Sequence, residues 1–140
     1  MGNEATIHIT EQDHERLKNL IDLVRNGNDR ANISYVNRLE EELEYAEIVA
    51  PEKIRADVVT MRSEVKLRDL DKDEASVFSI VFPTEANSEK GKISILAPLA
   101  TALLGRRLGE EVEFQAPGRL RRLRVEDILY QPESAGDLNL

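Results

Sequence analysis

The sequence predicts an α+β protein in two parts: an N-terminal antiparallel helical hairpin, a short coiled coil, followed by a β-sheet domain with one short helix. Three observations carry this reading. Apolar residues recur every three or four positions up to about residue 46. From about residue 58 the apolar period falls to two. Turn-forming residues cluster at Asn26-Gly27-Asn28-Asp29 and again between the later apolar runs. A helical period followed by a strand period places helices and sheet in separate parts of the chain. The expected boundary gives residues 1–52 to a strand-like lead and the hairpin, and 53–140 to the sheet domain.

The first helix is expected to start after Thr10, whose hydroxyl can accept a free first-turn N–H. Glu11 and Asp13 then lie at the positive end of the helix dipole. Leu17, Leu20, Ile21 and Val24 form one apolar face. The Asn-Gly-Asn-Asp turn interrupts it. A second helix carries Ile33, Val36, Leu39, Leu43 and Ala46 at the same spacing, with Pro51 ending it. Two amphipathic stripes joined by a tight turn bury each other in an antiparallel pair. Both stripes are short, so the hairpin needs the rest of the chain to stay folded.

Strands are expected at Val58 to Met61, Glu64 to Leu67, Ala75 to Phe82, Lys92 to Leu96, Glu111 to Gln115 and Leu120 to Tyr130. Turns at Asp69 to Asp73, Pro83 to Gly91 and Ala116-Pro117-Gly118 separate them. One helix interrupts the strands, from Pro98 to Leu104. Pro98 suits its first turn and Gly105 its end. The tail from Glu133 reads as mobile.

Composition narrows the function. Net charge is −8, which disfavours nonspecific binding to duplex nucleic acid and leaves no case for sequence-specific DNA recognition. Residues 1–57 hold 13 acids against 7 bases, net −6, and residues 58–140 hold 14 against 12, net −2, so the hairpin is the acidic part. Cysteine is absent, which removes disulfides and thiolate metal sites and points to a reducing compartment. Met1 to Thr10 lacks the basic and apolar runs of a signal peptide. No stretch reaches the ~20 apolar residues that span a bilayer. A cytoplasmic monomer follows as the expectation.

Catalytic patterns are missing. His8 and His14 stand apart without cysteine or a His-x-x-x-His spacing, so no metal site is expected, and no cofactor. There is no Gly-x-Ser-x-Gly and no phosphate loop. The dense run Glu40, Glu41, Glu42, Glu44 and Glu47 reads first as a solvated helix face, with Arg38 pairing to Glu42. Its other reading is a metal-binding surface or one that enters a partner's channel. Arg119, Arg121, Arg122 and Arg124 either touch RNA or an acidic protein, or protect a strand edge from unwanted pairing. At the hairpin tip, Asn28, Asp29, Arg30 and Asn32 are candidate partner-binding residues, and Asp29 is equally a plain turn former.

Four phrases are similar to one family. Asp57-Val58-Val59-Thr60-Met61-Arg62-Ser63-Glu64-Val65 resembles the start of the C-terminal domain of Rnk-type regulators (regulators of nucleoside diphosphate kinase). The run from Ile93 through Pro98 to Gly105 resembles the strand–helix core shared with Gre transcript-cleavage factors. Leu108-Gly109-Glu110-Glu111-Val112 stands in the place of the Gre-type Gly-Asp-x-Val. Tyr130-Gln131-Pro132-Glu133-Ser134-Ala135-Gly136-Asp137 is similar to the Rnk C-terminal signature, and selects the Rnk family within the Gre-factor superfamily.

The resemblance implies an FKBP-like C-terminal domain behind an N-terminal coiled coil. It also implies docking at the secondary channel of bacterial RNA polymerase, through the region around Ser94 and Pro98 together with the hairpin. Gre factors carry a pair of acids at the tip of a long arm, where they hold a catalytic metal for RNA cleavage. Here the tip has a single acid, Asp29, and each expected helix supports an arm of only roughly 25 Å. One carboxylate contributes little to a hard-metal site. The implied function is a non-enzymatic regulator that competes with Gre factors. The alternatives are a cleavage-stimulating factor using Asp29 and a neighbouring carboxylate, and a protein adaptor linked to nucleoside diphosphate metabolism. An FKBP-like fold also suggests prolyl isomerisation, but the few aromatics fall at core strand positions or on the hairpin and leave no aromatic-lined proline pocket.

Overall fold

In a computed structural model of the chain, which describes residues 6–137, Thr10 caps the first helix as its sequence suggests. Its Oγ1 accepts the Asp13 N–H at 3.0 Å. Helix α1 spans Glu11–Asn26 and helix α2 spans Ile33–Glu44. A 3₁₀ turn at Arg30–Asn32 connects them. Leu17, Ile21 and Val24 on α1 and Val36, Leu39 and Leu43 on α2 are all buried. Leu20, Ile33 and Ala46 pack against that core while staying partly exposed. Arg25, near the end of α1, donates to both carboxylate oxygens of Glu40, at 2.8 and 3.0 Å, and to Asn37 Oδ1 at 2.7 Å.

The second helix ends earlier than its periodicity suggests. Tyr45 leaves helical geometry, and Glu47–Val49 forms a short strand, β2, parallel to β1 (His8–Thr10). Glu47 N–H donates to Ile7 O at 2.9 Å. Helix α2 therefore stops because the chain turns to pair with the residues that precede α1, not because of Pro51.

The remaining strands are β3 (Glu64–Asp69), β4 (Glu74–Val81), β5 (Lys92–Ser94), β6 (Glu111–Ala116) and β7 (Arg119–Tyr130). They form one sheet in the order β5-β4-β3-β7-β6. Only β4 and β5 pair in parallel; the other neighbours are antiparallel. Alternate residues face inward: Val65 and Leu67, Val112 and Phe114, Leu123 and Val125 are buried. The opposite face carries charges that pair across strands, including Arg68 with Glu126 at 3.0 Å. Helix α3 (Pro98–Leu103) starts at Pro98 as expected and buries Ala100, Thr101 and Leu103.

Val58 to Met61 is not a strand. It contributes one isolated bridge, Val58 to Arg107, and then turns, with Arg62 in the left-handed region at φ 67°. Val58, Val59 and Met61 are at most 2% exposed, so their apolar pattern reflects burial instead of sheet pairing. One hydrophobic cluster runs from Ile7, Leu17 and Leu39 through Val59 and Met61 to Leu103 and Val125. The helices thus share a core with the sheet.

Candidate functional site

The tip residues are largely solvent-facing. Asn28, Asp29 and Arg30 are exposed, and Asn32 is half-buried. Asp29 Oδ2 accepts from Asn32 Nδ2 at 2.7 Å, and Asp29 O accepts the Asn32 N–H at 3.3 Å. Asp29 therefore closes the turn with one carboxylate oxygen and presents the other to solvent. From Gly27 to Asn32 it is the only carboxylate.

Ser94 and Pro98 lie at the β5–α3 junction, and both are half-buried. Ser94 Oγ accepts the Leu96 N–H at 3.1 Å, and Ser94 O accepts the Ala97 N–H at 2.9 Å. These bonds make the turn that sets Pro98 as the first residue of α3. Thr101 Oγ1 ties the helix back to Ile95 O at 2.7 Å. Among the described residues no hydrogen bond or ion pair joins the tip residues to Ser94 or Pro98. They form two separate surfaces, one at the α1–α2 turn and one on the sheet domain.

The two charged runs resolve into specific pairs. Glu42 meets Arg106 at 3.8 Å, in place of the expected Arg38, and Glu40 meets Arg25. Arg121 pairs with Asp69 at 2.6 Å and lies over the Phe114 ring, 5.8 Å from its centroid. Arg122 pairs with Asp71 at 3.0 Å, and Arg124 approaches Glu111 at 3.9 Å. The Arg121 guanidinium, helped by the N–H groups of Lys72 and Asp71, pulls the Asp69 carboxyl down to about 2. Three of the four arginines thus face acids of the sheet or of its β3–β4 turn. Among the described residues no group of three or more His, Asp or Glu is placed to hold a metal ion. No helix among them is long and apolar enough to cross a membrane.

Sequence reasoning missed a buried polar junction between α1 and the segment before β3. Asp13 is 4% exposed, and its Oδ2 accepts the Met61 N–H at 3.0 Å. Burial pushes its carboxyl up to about 6, against the opposing effect of that N–H. Next to it, Thr60 Oγ1 donates to Glu133 Oε1 at 2.7 Å and contacts Ser63 Oγ at 2.9 Å. Gln131 Nε2 donates to Arg55 O and Val58 O at 2.8 and 2.7 Å. Tyr130 OH donates to Asp137 Oδ2. The tail through Asp137 is therefore tied down, contrary to the mobility expected from Glu133; residues 138–140 lie outside the described residues. Arg62 completes the junction with a two-pronged pair to Glu85, the closest contact 2.8 Å, while stacked 5.3 Å from the Phe82 ring centroid. No sequence signal separates Asp13 from an ordinary first-turn acid.

Comparison with known proteins agrees with this architecture. Residues 54–130 match the family model described as the C-terminal part of the transcription elongation factors GreA/GreB, and residues 6–49 match the Rnk N-terminus. The chain is 37% identical over 136 residues to the regulator of nucleoside diphosphate kinase of Escherichia coli strain K12, covering 96% of this chain and 97% of that protein. Transcription elongation factor GreA of Rhodopseudomonas palustris strain TIE-1 is 38% identical over 96 residues, covering 69% of this chain and 61% of that factor. Among solved structures, a prokaryotic transcription elongation factor GreA/GreB from Nitrosomonas europaea superposes with a TM-score of 0.74 at 37% identity, covering 89% of this chain and all of that one. With an Rnk-type N-terminal segment continuous with a GreA/GreB-type sheet domain, the chain belongs to the Rnk family of GreA/GreB-related transcription factors.

Proposed function

We propose that this chain is a cytoplasmic, non-enzymatic regulator that binds bacterial RNA polymerase at its secondary channel and competes there with Gre factors without stimulating transcript cleavage. In this reading residues 1–52 form a short helical-hairpin arm and residues 53–140 an FKBP-like docking domain, acting as a monomer. Ser94 and Pro98 belong to the docking contact, and Asn28, Asp29, Arg30 and Asn32 form the part of the arm that enters the channel.

The tip carries this reading. A cleavage factor of the Gre type must hold a hard divalent cation beside the RNA, and such a cation takes several oxygen ligands. Asp29 is the tip's single carboxylate, one of its oxygens is engaged by Asn32, and Arg30 beside it offsets its charge. The arm is also short: α1 has 16 residues, a length of roughly 24 Å. An arm that occupies the channel without bringing ligands excludes a cleavage factor and supplies nothing in its place.

The test is gel filtration of the protein with core RNA polymerase, followed by transcript-cleavage assays on stalled elongation complexes. Co-elution with no cleavage above the polymerase's own rate is the expected result. Failure to co-elute, or cleavage lost on Asp29→Ala, overturns the reading.

A further inference from the structure

The junction between α2 and β2 leaves apolar side chains, backbone groups and charges without partners. Tyr45, where α2 ends, is 80% exposed, and Ile48 in β2 is 44% exposed. Strand β2 has one neighbour, β1, and its other edge is open among the described residues. Glu47 turns its N–H toward Ile7, so strand alternation turns the N–H and C=O of Ile48 toward that open edge. Exposed acids flank β2 along the chain: Glu41 and Glu44 in the last turn of α2, Glu47 in β2 itself, and Glu52 in the turn after it. Among the described residues Glu41, Glu44 and Glu52 have no cation within ion-pair distance, and Glu47 meets only His8, at 3.6 Å.

We propose that the open edge of β2 docks an extended protein segment in which basic and apolar residues alternate, so that the segment joins β1 and β2 as a third strand. Strand addition uses the main chain for affinity and alternate side chains for selectivity. Here the apolar side chains of the segment would cover Ile48 and Tyr45, and its basic ones would meet the glutamates. An exposed tyrosine is a favourable anchor, because it offers a large contact area at small cost in side-chain entropy.

Charged edges also serve to keep strands apart. That effect works here against acidic or neutral edges, including the β2 of a second copy, which would bring the same four glutamates. It does not work against a basic strand, whose charges remove the repulsion. The flanking glutamates therefore disfavour self-association at this edge while favouring one class of partner. This surface lies at the opposite end of α2 from the turn at Asp29, and its occupancy does not depend on polymerase binding.

The experiment uses the full chain, ¹⁵N-labelled, titrated with a short peptide of alternating lysine and valine. A peptide of alternating glutamate and valine serves as the control. Amide shifts concentrated between Tyr45 and Ala50, weakened by salt and absent with the acidic peptide, are expected. Reversing two exposed charges, Glu44→Lys with Glu47→Lys, should raise the apparent Kd for the basic peptide by about tenfold or more. Tyr45→Ser should weaken binding without altering the helical circular dichroism. The proposal is overturned if the basic peptide does not bind, if its shifts map away from β2, or if both peptides bind alike. It is equally overturned if the charge reversal or Tyr45→Ser leaves the Kd unchanged.

Discussion

Asp13 in the first turn of α1 accepts the backbone N–H of Met61 at 3.0 Å, across 48 residues of chain, with its side chain almost wholly out of water. Glu133 lies close enough to oppose its ionisation, while Arg16 and Arg62 favour it, and burial outweighs both cations. Its carboxyl titrates at about 6 in the folded protein, against an ordinary value of 3.8. The folded state thus binds the proton more tightly than the unfolded chain. The stabilisation from neutral Asp13 is complete below 3.8 and is lost as pH rises through 6, a difference of up to ~3 kcal/mol. Asp13→Asn keeps an acceptor for Met61 without the charge. Its Tm should exceed that of the wild type at pH 7 and lose the rise between pH 7 and pH 5. Asp13→Ala leaves the Met61 N–H buried and unpaired, and should cost ~1–3 kcal/mol at pH 5 by urea unfolding. Identical pH profiles for wild type and Asp13→Asn would contradict this assignment.

Gly105 follows α3 in the left-handed region, at φ 80°, and a Cβ there would sit 2.6 Å from the Cβ of Ile7. The position combines backbone strain with a close approach to the segment that leads into β1. Gly105→Ala should lose ~2–4 kcal/mol in chemical denaturation, among the larger single-residue effects. A loss within ~0.5 kcal/mol would show that the β1 segment can move away freely.

The parts of this architecture that were legible in the sequence are those that local chemistry determines. Thr10 caps α1, Pro98 starts α3, and the alternation at Glu111 to Gln115 marks a strand, because each depends on neighbours within a turn or two. The features that were not legible are pairings between distant residues. Strand β2 is three residues long and exists only through its pairing with β1, where Glu47, Ile48 and Val49 stand opposite His8, Ile9 and Thr10. Val58 to Met61 has a strand-like composition but is buried by turns, since Arg62 takes a left-handed conformation and pairs with Glu85. Of the candidate site, the single acid at the tip was readable directly. The partners of Arg121 and Arg122 were not, because Asp69 and Asp71 lie some fifty residues earlier.

The Arg121–Asp69 pair makes its own prediction. Asp69 should titrate near 2 by NMR, chiefly because the Arg121 guanidinium donates to it. Its contribution to stability is present above 3.8 and disappears as pH falls through 2. Arg121→Met should move the Asp69 midpoint up toward the ordinary value of about 3.9. An unchanged midpoint would assign the shift to the Lys72 and Asp71 N–H groups instead.

Polymerase affinity should reside mainly in the sheet domain. Pro98→Ala should keep the fold, since alanine is tolerated in a first helical turn, yet weaken binding to core polymerase about tenfold. A folded variant that binds as well as the wild type would leave Pro98 with a purely structural role. The net charge of −6 over residues 1–57 should speed association with a basic channel entrance at low salt, and added salt should slow it. Association rates that do not change with salt would remove electrostatic steering from the account.

The most direct test of the central claim is transcript cleavage in stalled elongation complexes that contain a Gre factor, measured as this protein is added in increasing amounts. The account predicts that cleavage falls with each addition, that the protein alone adds none, and that Asp29→Ala inhibits as well as the wild type. Cleavage that accelerates with the protein alone and is lost in Asp29→Ala would contradict it, as would cleavage that stays constant while the protein is bound.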